Sequence, residues 1–128
     1  MIRIEKAEIQ DAYDYAKILN QSWKDTYSEY ISIEHIDNEF NIEGLVKYFP
    51  NIINCENELY MIKRKGKNIG ILKLGLPEDI YKSDMHGYGE ILSLHIKKDC
   101  CGKGYGSIAI DFAINRLKQL GGKLLWQV

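Results

Sequence analysis

Several things are scarce in this chain, and each scarcity excludes something. There are three cysteines in 128 residues, Cys55, Cys100 and Cys101. An odd number with two adjacent members excludes a disulfide framework and fits a reducing, cytoplasmic setting. Charge of one sign is not in excess: the formal net charge is −1 and there is no polybasic run. A nucleic-acid-binding function therefore has no electrostatic support. Long apolar runs are absent, so no segment reads as a membrane span. The first residues, Met1 to Lys6, alternate charged with apolar side chains and contain no signal-peptide core. Repeats, low-complexity tracts and linkers are missing too.

What remains is the composition of an ordinary globular protein, 45% hydrophobic and 27% charged. The length suits one domain, residues 1–128, with a real core. Alternation predicts a first strand over Ile2–Ala7. From Gln10 to Tyr30 the period becomes helical. Ala12, Tyr15, Ala16, Leu19, Trp23 and Tyr27 form the apolar stripe, with Asp11, Asp14, Lys17, Asn20 and Lys24 between them. Ser32 is placed to cap a second helix, which Asn38, Asn41 and Gly44 weaken; Leu45–Phe49 reads as a short helix stopped at Pro50. Glu58–Lys63 and Ile69–Leu76 read as a hairpin around a turn at Arg64–Asn68. Pro77–Gly87 reads as a polar loop.

Glu90–Lys97 reads as the fourth strand. Tyr105–Leu120 is predicted as a helix with Ile108, Ala109, Phe112, Ala113, Leu117 and Leu120 facing inward, ended by Gly121-Gly122. Lys123–Val128 begins a fifth strand. A crossover helix makes the fourth and fifth strands parallel, while the hairpin makes the others antiparallel. The expected class is α/β (α+β), a mixed and mostly antiparallel sheet with helices on both faces.

The segment with the most chemistry follows the fourth strand, Cys101-Gly102-Lys103-Gly104-Tyr105-Gly106-Ser107. A glycine-rich turn at a helix start leaves backbone N–H groups pointing outward at the positive end of the helix dipole. Such a turn accepts phosphate or pyrophosphate. A P-loop is excluded because Lys103 is followed by Gly104 rather than Ser or Thr. A dinucleotide fingerprint is excluded because Ser107 stands where the third glycine belongs.

The alternating glycines, the strand residues Glu90-Ile91 and Leu94-His95-Ile96, and the helix segment Ser22-Trp23-Lys24-Asp25-Thr26-Tyr27 together resemble the GNAT superfamily of N-acetyltransferases. The order of elements resembles that family along essentially the whole chain. Where the family pattern has Gln or Arg, x, x, Gly, x, Gly or Ala, this chain has Cys101, Gly104 and Gly106; the cysteine is a departure. The resemblance implies that acetyl-coenzyme A is the cosubstrate. Its pyrophosphate would lie on the amides of Gly102, Lys103, Gly104, Tyr105, Gly106 and Ser107, with Cys101 contributing to the cofactor site through its backbone N–H or side chain, and its pantetheine arm would pair with the fourth strand at Leu94 and Ile96.

Acetyl transfer to an amine requires loss of a proton from the amine, stabilisation of an oxyanion and departure of a thiolate. The resemblance makes Glu90 the candidate base and the Leu94 N–H the oxyanion donor. Glu90 reads equally as a solvated strand-end carboxylate; to act as base near neutrality it would need partial burial. Trp23, Tyr27 and Tyr30 would wall the acceptor site, although helical spacing also makes Trp23 and Tyr27 core residues. His95 alternates onto the face opposite Leu94 and reads as a packed or half-exposed strand residue. His86 precedes the strand, and His35 has no evident partner. No spacing suits a metal. Cys101, near a helix N-terminus, is open to oxidation.

The resemblance also implies a further helix and strands after the fifth strand, one of which commonly supplies a tyrosine acid for the leaving thiolate. Ending at Val128, the sequence lacks these, and the exposed strand edge leads to the expectation of a homodimer. Two functions follow as expectations. The first is direct transfer of acetyl from acetyl-coenzyme A to a primary amine, either a small molecule or a peptide amine. The acidic-leaning composition gives a slight preference for a cationic acceptor. The second is a non-catalytic coenzyme A-binding or interaction module derived from such an enzyme.

Overall fold

The computed structural model describes residues 1–55, 57–75, 88–120 and 123–124. The expected polar loop Pro77–Gly87 with His86, the Gly121-Gly122 stop and the strand beyond Leu124 lie outside these residues. The described elements run β1 (Ile2–Lys6), α1 (Ala12–Tyr27), α2 (Ile33–Glu39), α3 (Ile42–Ile53), β2 (Glu58–Arg64), β3 (Lys67–Gly75), β4 (Tyr88–Ile96), α4 (Tyr105–Gln119) and β5 (Lys123–Leu124). Short 3-10 turns at Ile9–Asp11 and Lys98–Cys100 precede α1 and α4.

The sheet order is β1-β2-β3-β4-β5. β1 to β4 pair antiparallel and β5 pairs parallel to β4, as the crossover requires. Strand alternation divides the sheet into two buried faces. On one, Leu59, Met61 and Ile71 pack with Tyr15 and Ile18 of α1 and Phe49 and Ile52 of α3. On the other, Tyr60, Leu72 and Leu74 meet Ala113 of α4, and Ile62 meets Ala109. Helices thus cover both faces, and the mixed sheet of the expected class is present.

The β2–β3 turn is tighter than the predicted Arg64–Asn68 loop. Lys65 and Gly66 both have positive φ, 53° and 76°, which is the two-residue geometry whose twist matches the flanking strands. The helical region between β1 and β2 also divides differently from expectation. Asn41 does not weaken a helix; its Oδ1 accepts from the Gly44 N–H at 2.9 Å and starts α3. Ser32 caps α2 as expected, accepting from the His35 N–H at 3.1 Å. Pro50 lies inside α3 instead of stopping it. A proline there forfeits one helical hydrogen bond, but Phe49 and Ile52 on either side are buried against Tyr15 and the sheet, and tertiary packing outweighs the local penalty.

Two polar residues of α1's entry and body, Asp11 and Asn20, were expected between the apolar positions and are buried. Asp11 accepts from the Glu8 N–H at 2.8 Å and from Asn68 Nδ2 at 3.1 Å, joining the start of α1 to the β2–β3 hairpin. Asn20 donates to Asp37 Oδ1 at 3.1 Å and to the Phe40 carbonyl at 2.8 Å, fastening α2 to α1. On α4, Ala109, Ala113 and Leu117 are buried as expected, whereas Ile108 and Leu120 are exposed. The buried stripe is narrower than predicted, with Phe112 partly buried against Tyr60.

Candidate functional site

β4 organises the site. Its pairing with β3 places Gly75 opposite Glu90, Leu74 opposite Ile91, Lys73 opposite Ser93, Leu72 opposite Leu94 and Ile71 opposite His95. The register shifts between Lys73 and Leu74, leaving Leu92 as the extra residue of a bulge. The Lys97 N–H donates to the Ile69 carbonyl at 2.8 Å. Counting back by twos, His95 and Ser93 occupy the bonded positions. Leu94 and Ile96 take the alternate ones, where the amide is directed away from β3 and toward the β5 side. Among the described residues, β5 pairs with β4 only at Tyr88–Lys123 and Gly89–Leu124. The side chains of Leu94 and Ile96 pack toward α4, beside Ala113 and Ala109 respectively.

The turn after β4 is built by left-handed glycines. Gly102 and Gly104 have φ of 78° and 80°, a region that L side chains rarely adopt, and a Cβ at either would meet nothing within 4 Å. It is backbone conformation, not crowding, that requires glycine here. Gly106 is different: it is helical, and a Cβ there would sit 3.9 Å from Ile96 Cδ1, an ordinary contact. Gly104 is the N-cap of α4, with no side-chain cap and no acidic residue in the first turn. The positive end of the helix is therefore uncompensated by neighbouring carboxylates.

Cys101 donates its amide to the Lys98 carbonyl at 3.2 Å, within the 3-10 turn. Its Sγ turns back to the carbonyls of Ile96 and Lys97, at 3.6 and 3.5 Å. Neither its amide nor its side chain is directed at the glycine turn, so the departure from Gln or Arg leaves the amides from Gly102 onward unaltered.

Two cavities flank β4 on the α1 side. One, of about 410 Å³, has Ser93, His95 and Lys73 from the sheet, Trp23 and Tyr27 from α1, and Phe40 after α2. Trp23 lies between the rings of Tyr27 and Phe40, with centroids 4.5 and 4.4 Å away. The other, of about 870 Å³, runs from α1 to the end of β4, with Lys17, Lys24, Ile96, Lys97, Lys98 and Cys101 among its walls. Ser22 and Thr26 line both cavities.

The sequence-derived site residues are therefore distributed as follows. Trp23 and Tyr27 stand in the smaller cavity, while Tyr30 is exposed in the turn after α1 and does not line it. Glu90 shares the sheet face of Ser93 and His95 by register but lies outside that lining, on the far side of the Leu92 bulge. His95, read from sequence as a packed or half-exposed strand residue, faces the smaller cavity with its Nδ1 2.7 Å from Ser22 Oγ. Burial holds its imidazole below the ordinary value. The available signal was alternation, which already placed His95 opposite Leu94; what it did not identify was the partner 73 residues away. Among the described residues no group of three or more His, Cys, Asp or Glu side chains is arranged to hold a metal, and no helix is long and apolar enough to cross a membrane.

These features define an α/β protein with a glycine-built helix start after its fourth strand and a cavity against the same strand. The chain belongs to the acetyltransferase (GNAT) family, whose model matches residues 14–128. No curated protein sequence matches it at a significant level. Its fold is similar to that of the PaiA N-acetyltransferase from Thermoplasma acidophilum, a structure solved with coenzyme A. The TM-score is 0.72 at 23% identity, covering 94% of this chain and 74% of that one. It is similar also to an N-acetyltransferase from Staphylococcus aureus Mu50, with TM-score 0.70 and 17% identity over 97% of this chain and 71% of that one. A third similar structure is a predicted acetyltransferase from Clostridium acetobutylicum with acetyl-CoA. There the TM-score is 0.66 at 18% identity, covering 100% and 81% of the two chains.

Proposed function

We propose that this acetyltransferase carries acetyl from acetyl-coenzyme A directly to a primary amine, both substrates being bound at once on β4. The observation that carries the reading is the junction of β4 and α4. Two left-handed glycines deliver the chain into a helix start with no acidic residue in its first turn. The amides of Gly102 to Ser107, together with Lys103, would hold the pyrophosphate. The larger cavity is compatible with the same placement, since its lining carries Lys17, Lys24, Lys97 and Lys98 against Asp25 and Asp99, with Lys24 paired to Asp37 at 2.8 Å. The pantetheine arm would pair with the outward amides of Leu94 and Ile96 as an added strand. The Leu94 N–H would then face the thioester oxygen as charge develops on it.

The acceptor would occupy the smaller cavity. Its aromatic wall of Trp23, Tyr27 and Phe40 suits a compact amine with an apolar or aromatic body, and its volume falls within the range of small-molecule sites. Glu90, the carboxylate that the resemblance offers as base, would influence the site from the start of the strand.

Calorimetric titration of acetyl-coenzyme A into the wild-type chain and into Gly104→Val tests the cofactor site. Saturable binding to the first and its loss in the second is the expected result; no binding to the wild-type chain overturns the assignment. Thiol release with a panel of primary amines tests turnover. Binding without thiol release for any of them would leave a coenzyme A-binding module rather than an enzyme.

A further inference from the structure

We propose that His95 accepts the proton from the acceptor amine and that Ser22 is its positioning residue, holding the imidazole at the boundary between the amine cavity and the cofactor cavity. The inference rests on the function proposed above and assigns its base. Four observations bear on it. The His95 ring faces the cavity lined by Trp23 and Tyr27. Its Nδ1 is 2.7 Å from the hydroxyl of Ser22, which lines both cavities. Its neighbours in sequence, Leu94 and Ile96, direct their amides away from β3, toward the β5 side, so the ring stands one residue from the oxyanion donor. Glu90 is absent from the cavity lining and lies beyond the bulge.

When Nδ1–H donates to Ser22 Oγ, Nε2 keeps its lone pair and is available to the cavity. The imidazole is half-buried, and desolvation disfavours its charged form. It is therefore neutral, and able to take a proton, at the pH where most amines are still protonated. The charged groups facing it or the adjoining cavity come from α1, the sheet and the turn after β4. Lys73 comes from β3 and shares the cavity; Glu90 lies on the same face of β4; Lys17, Lys24 and Asp25 of α1 and Lys97, Lys98 and Asp99 after β4 line the adjoining cavity. Lys73 also disfavours imidazolium.

The steps balance. The acceptor ammonium gives one proton to Nε2, which releases it to solvent. The neutral amine forms the C–N bond as the carbonyl electron pair moves onto oxygen, facing the Leu94 amide. The nitrogen then gives a second proton to Nε2 while the electron pair on oxygen re-forms the C=O bond, the C–S bond breaks and its electron pair goes to sulfur. The imidazolium returns this proton to the thiolate. The products are an amide, a thiol and one proton in solution.

The test combines kinetics with imidazole nitrogen NMR. His95→Gln is expected to lower kcat by about 100-fold or more while the Kd for acetyl-coenzyme A stays within about twofold. It should also abolish the acidic limb of the kcat/KM pH profile. In Glu90→Gln that limb should persist, and in Ser22→Ala it should move to lower pH, because imidazolium loses the hydroxyl that accepts from its Nδ1–H, with a smaller loss of kcat. Retained activity in His95→Gln, loss of cofactor binding in that variant, or a limb that disappears with Glu90 overturns the assignment. NMR of the unliganded wild-type protein gives a readout independent of turnover: protonated Nδ1 and bare Nε2 are expected, and the opposite tautomer overturns the proposal. A wild-type chain that binds acetyl-coenzyme A yet releases thiol with no amine removes the parent function, and this role with it.

Discussion

The guanidinium of Arg116 holds both carboxylate oxygens of Glu58, with Nε 2.9 Å from Oε1 and Nη2 2.8 Å from Oε2. This bidentate pair ties the C-terminal half of α4 to the first residue of β2. The Tyr60 hydroxyl donates to the same carboxylate at 2.7 Å, and Lys6 Nζ lies 3.2 Å from it. Arg116 holds the Glu58 carboxyl down at about 2, while burial and Glu58 together push the Tyr60 hydroxyl up to about 12. Because α4 also supplies the helix start at Gly104, the pair helps set the direction in which those amides point.

Glu58→Gln should therefore destabilise the protein by about 1–2 kcal/mol, since it weakens charge-assisted hydrogen bonds to a part-exposed Arg116. The pH dependence has a definite sign. The folded carboxyl titrates at about 2 and the unfolded one at the ordinary 4.5. The folded state thus binds the proton less readily. The stabilisation is fully present above 4.5, declines as pH falls below it, and is lost as pH passes through about 2. Urea denaturation across this acidic range should show the slope in the wild-type chain, and Glu58→Gln should remove this carboxyl's share of it. Equal slopes in both proteins would contradict the pairing.

The three alternating glycines predict three different outcomes. Gly102→Ala and Gly104→Ala each force a side chain into the left-handed region and should cost about 1–2 kcal/mol in thermal or urea unfolding. Gly106→Ala places a methyl in a helical position with only an ordinary contact to Ile96 Cδ1, and should leave stability unchanged or raise it by up to about 1 kcal/mol. If Gly106→Ala nevertheless weakens acetyl-coenzyme A binding in calorimetry, the third glycine serves close approach of the ligand rather than the fold. A destabilised Gly106→Ala would contradict the helical geometry assigned to it.

The contrast among these glycines shows what was legible in the sequence. Spacing alone located the turn, the strand before it and the helix after it, because those follow from local periodicity and turn chemistry. It treated the three glycines as equivalent, because φ is not written in residue type. The same limit explains Pro50, which local rules place at a helix end and long-range burial of Phe49 and Ile52 keeps inside one. It explains Tyr30 as well. Helical spacing groups it with Trp23 and Tyr27, but α1 ends at Tyr27, so Tyr30 turns away into solvent. The Ser22–His95 contact depends on how α1 lies across the sheet, and no local pattern encodes that crossing.

Asn20 offers a test of how α2 shapes the acceptor cavity. Its side chain is buried and holds the Phe40 carbonyl, and the Phe40 ring stacks on Trp23. Asn20→Ala leaves that carbonyl without its donor and should cost about 1–3 kcal/mol in stability. The more telling effect is on catalysis. KM for the amine should rise several-fold as Phe40 loosens; because Asn20 itself lines the larger cavity, acetyl-coenzyme A binding should also weaken, but by less than amine binding. A matched loss of cofactor affinity would mean that α2 supports the whole site rather than its acceptor half.

Lys73 bears on which amines enter. Composition alone leaned slightly toward a cationic acceptor, yet the smaller cavity points the other way. Among the described residues its lining contains Lys73 and no carboxylate. A diamine would bring its second ammonium toward this cation, whereas an amine carrying a carboxylate of similar length would meet an opposite charge. At a half-buried site such a pair differs by about 1–2 kcal/mol, enough for a roughly tenfold preference. The amino acid-like acceptor should therefore show the higher kcat/KM of two acceptors matched in size. Lys73→Glu should reverse the order, and the reversal should weaken as salt is added, because the cavity is open to solvent. An unchanged preference in that variant would mean that the charge selecting the acceptor resides elsewhere in the protein.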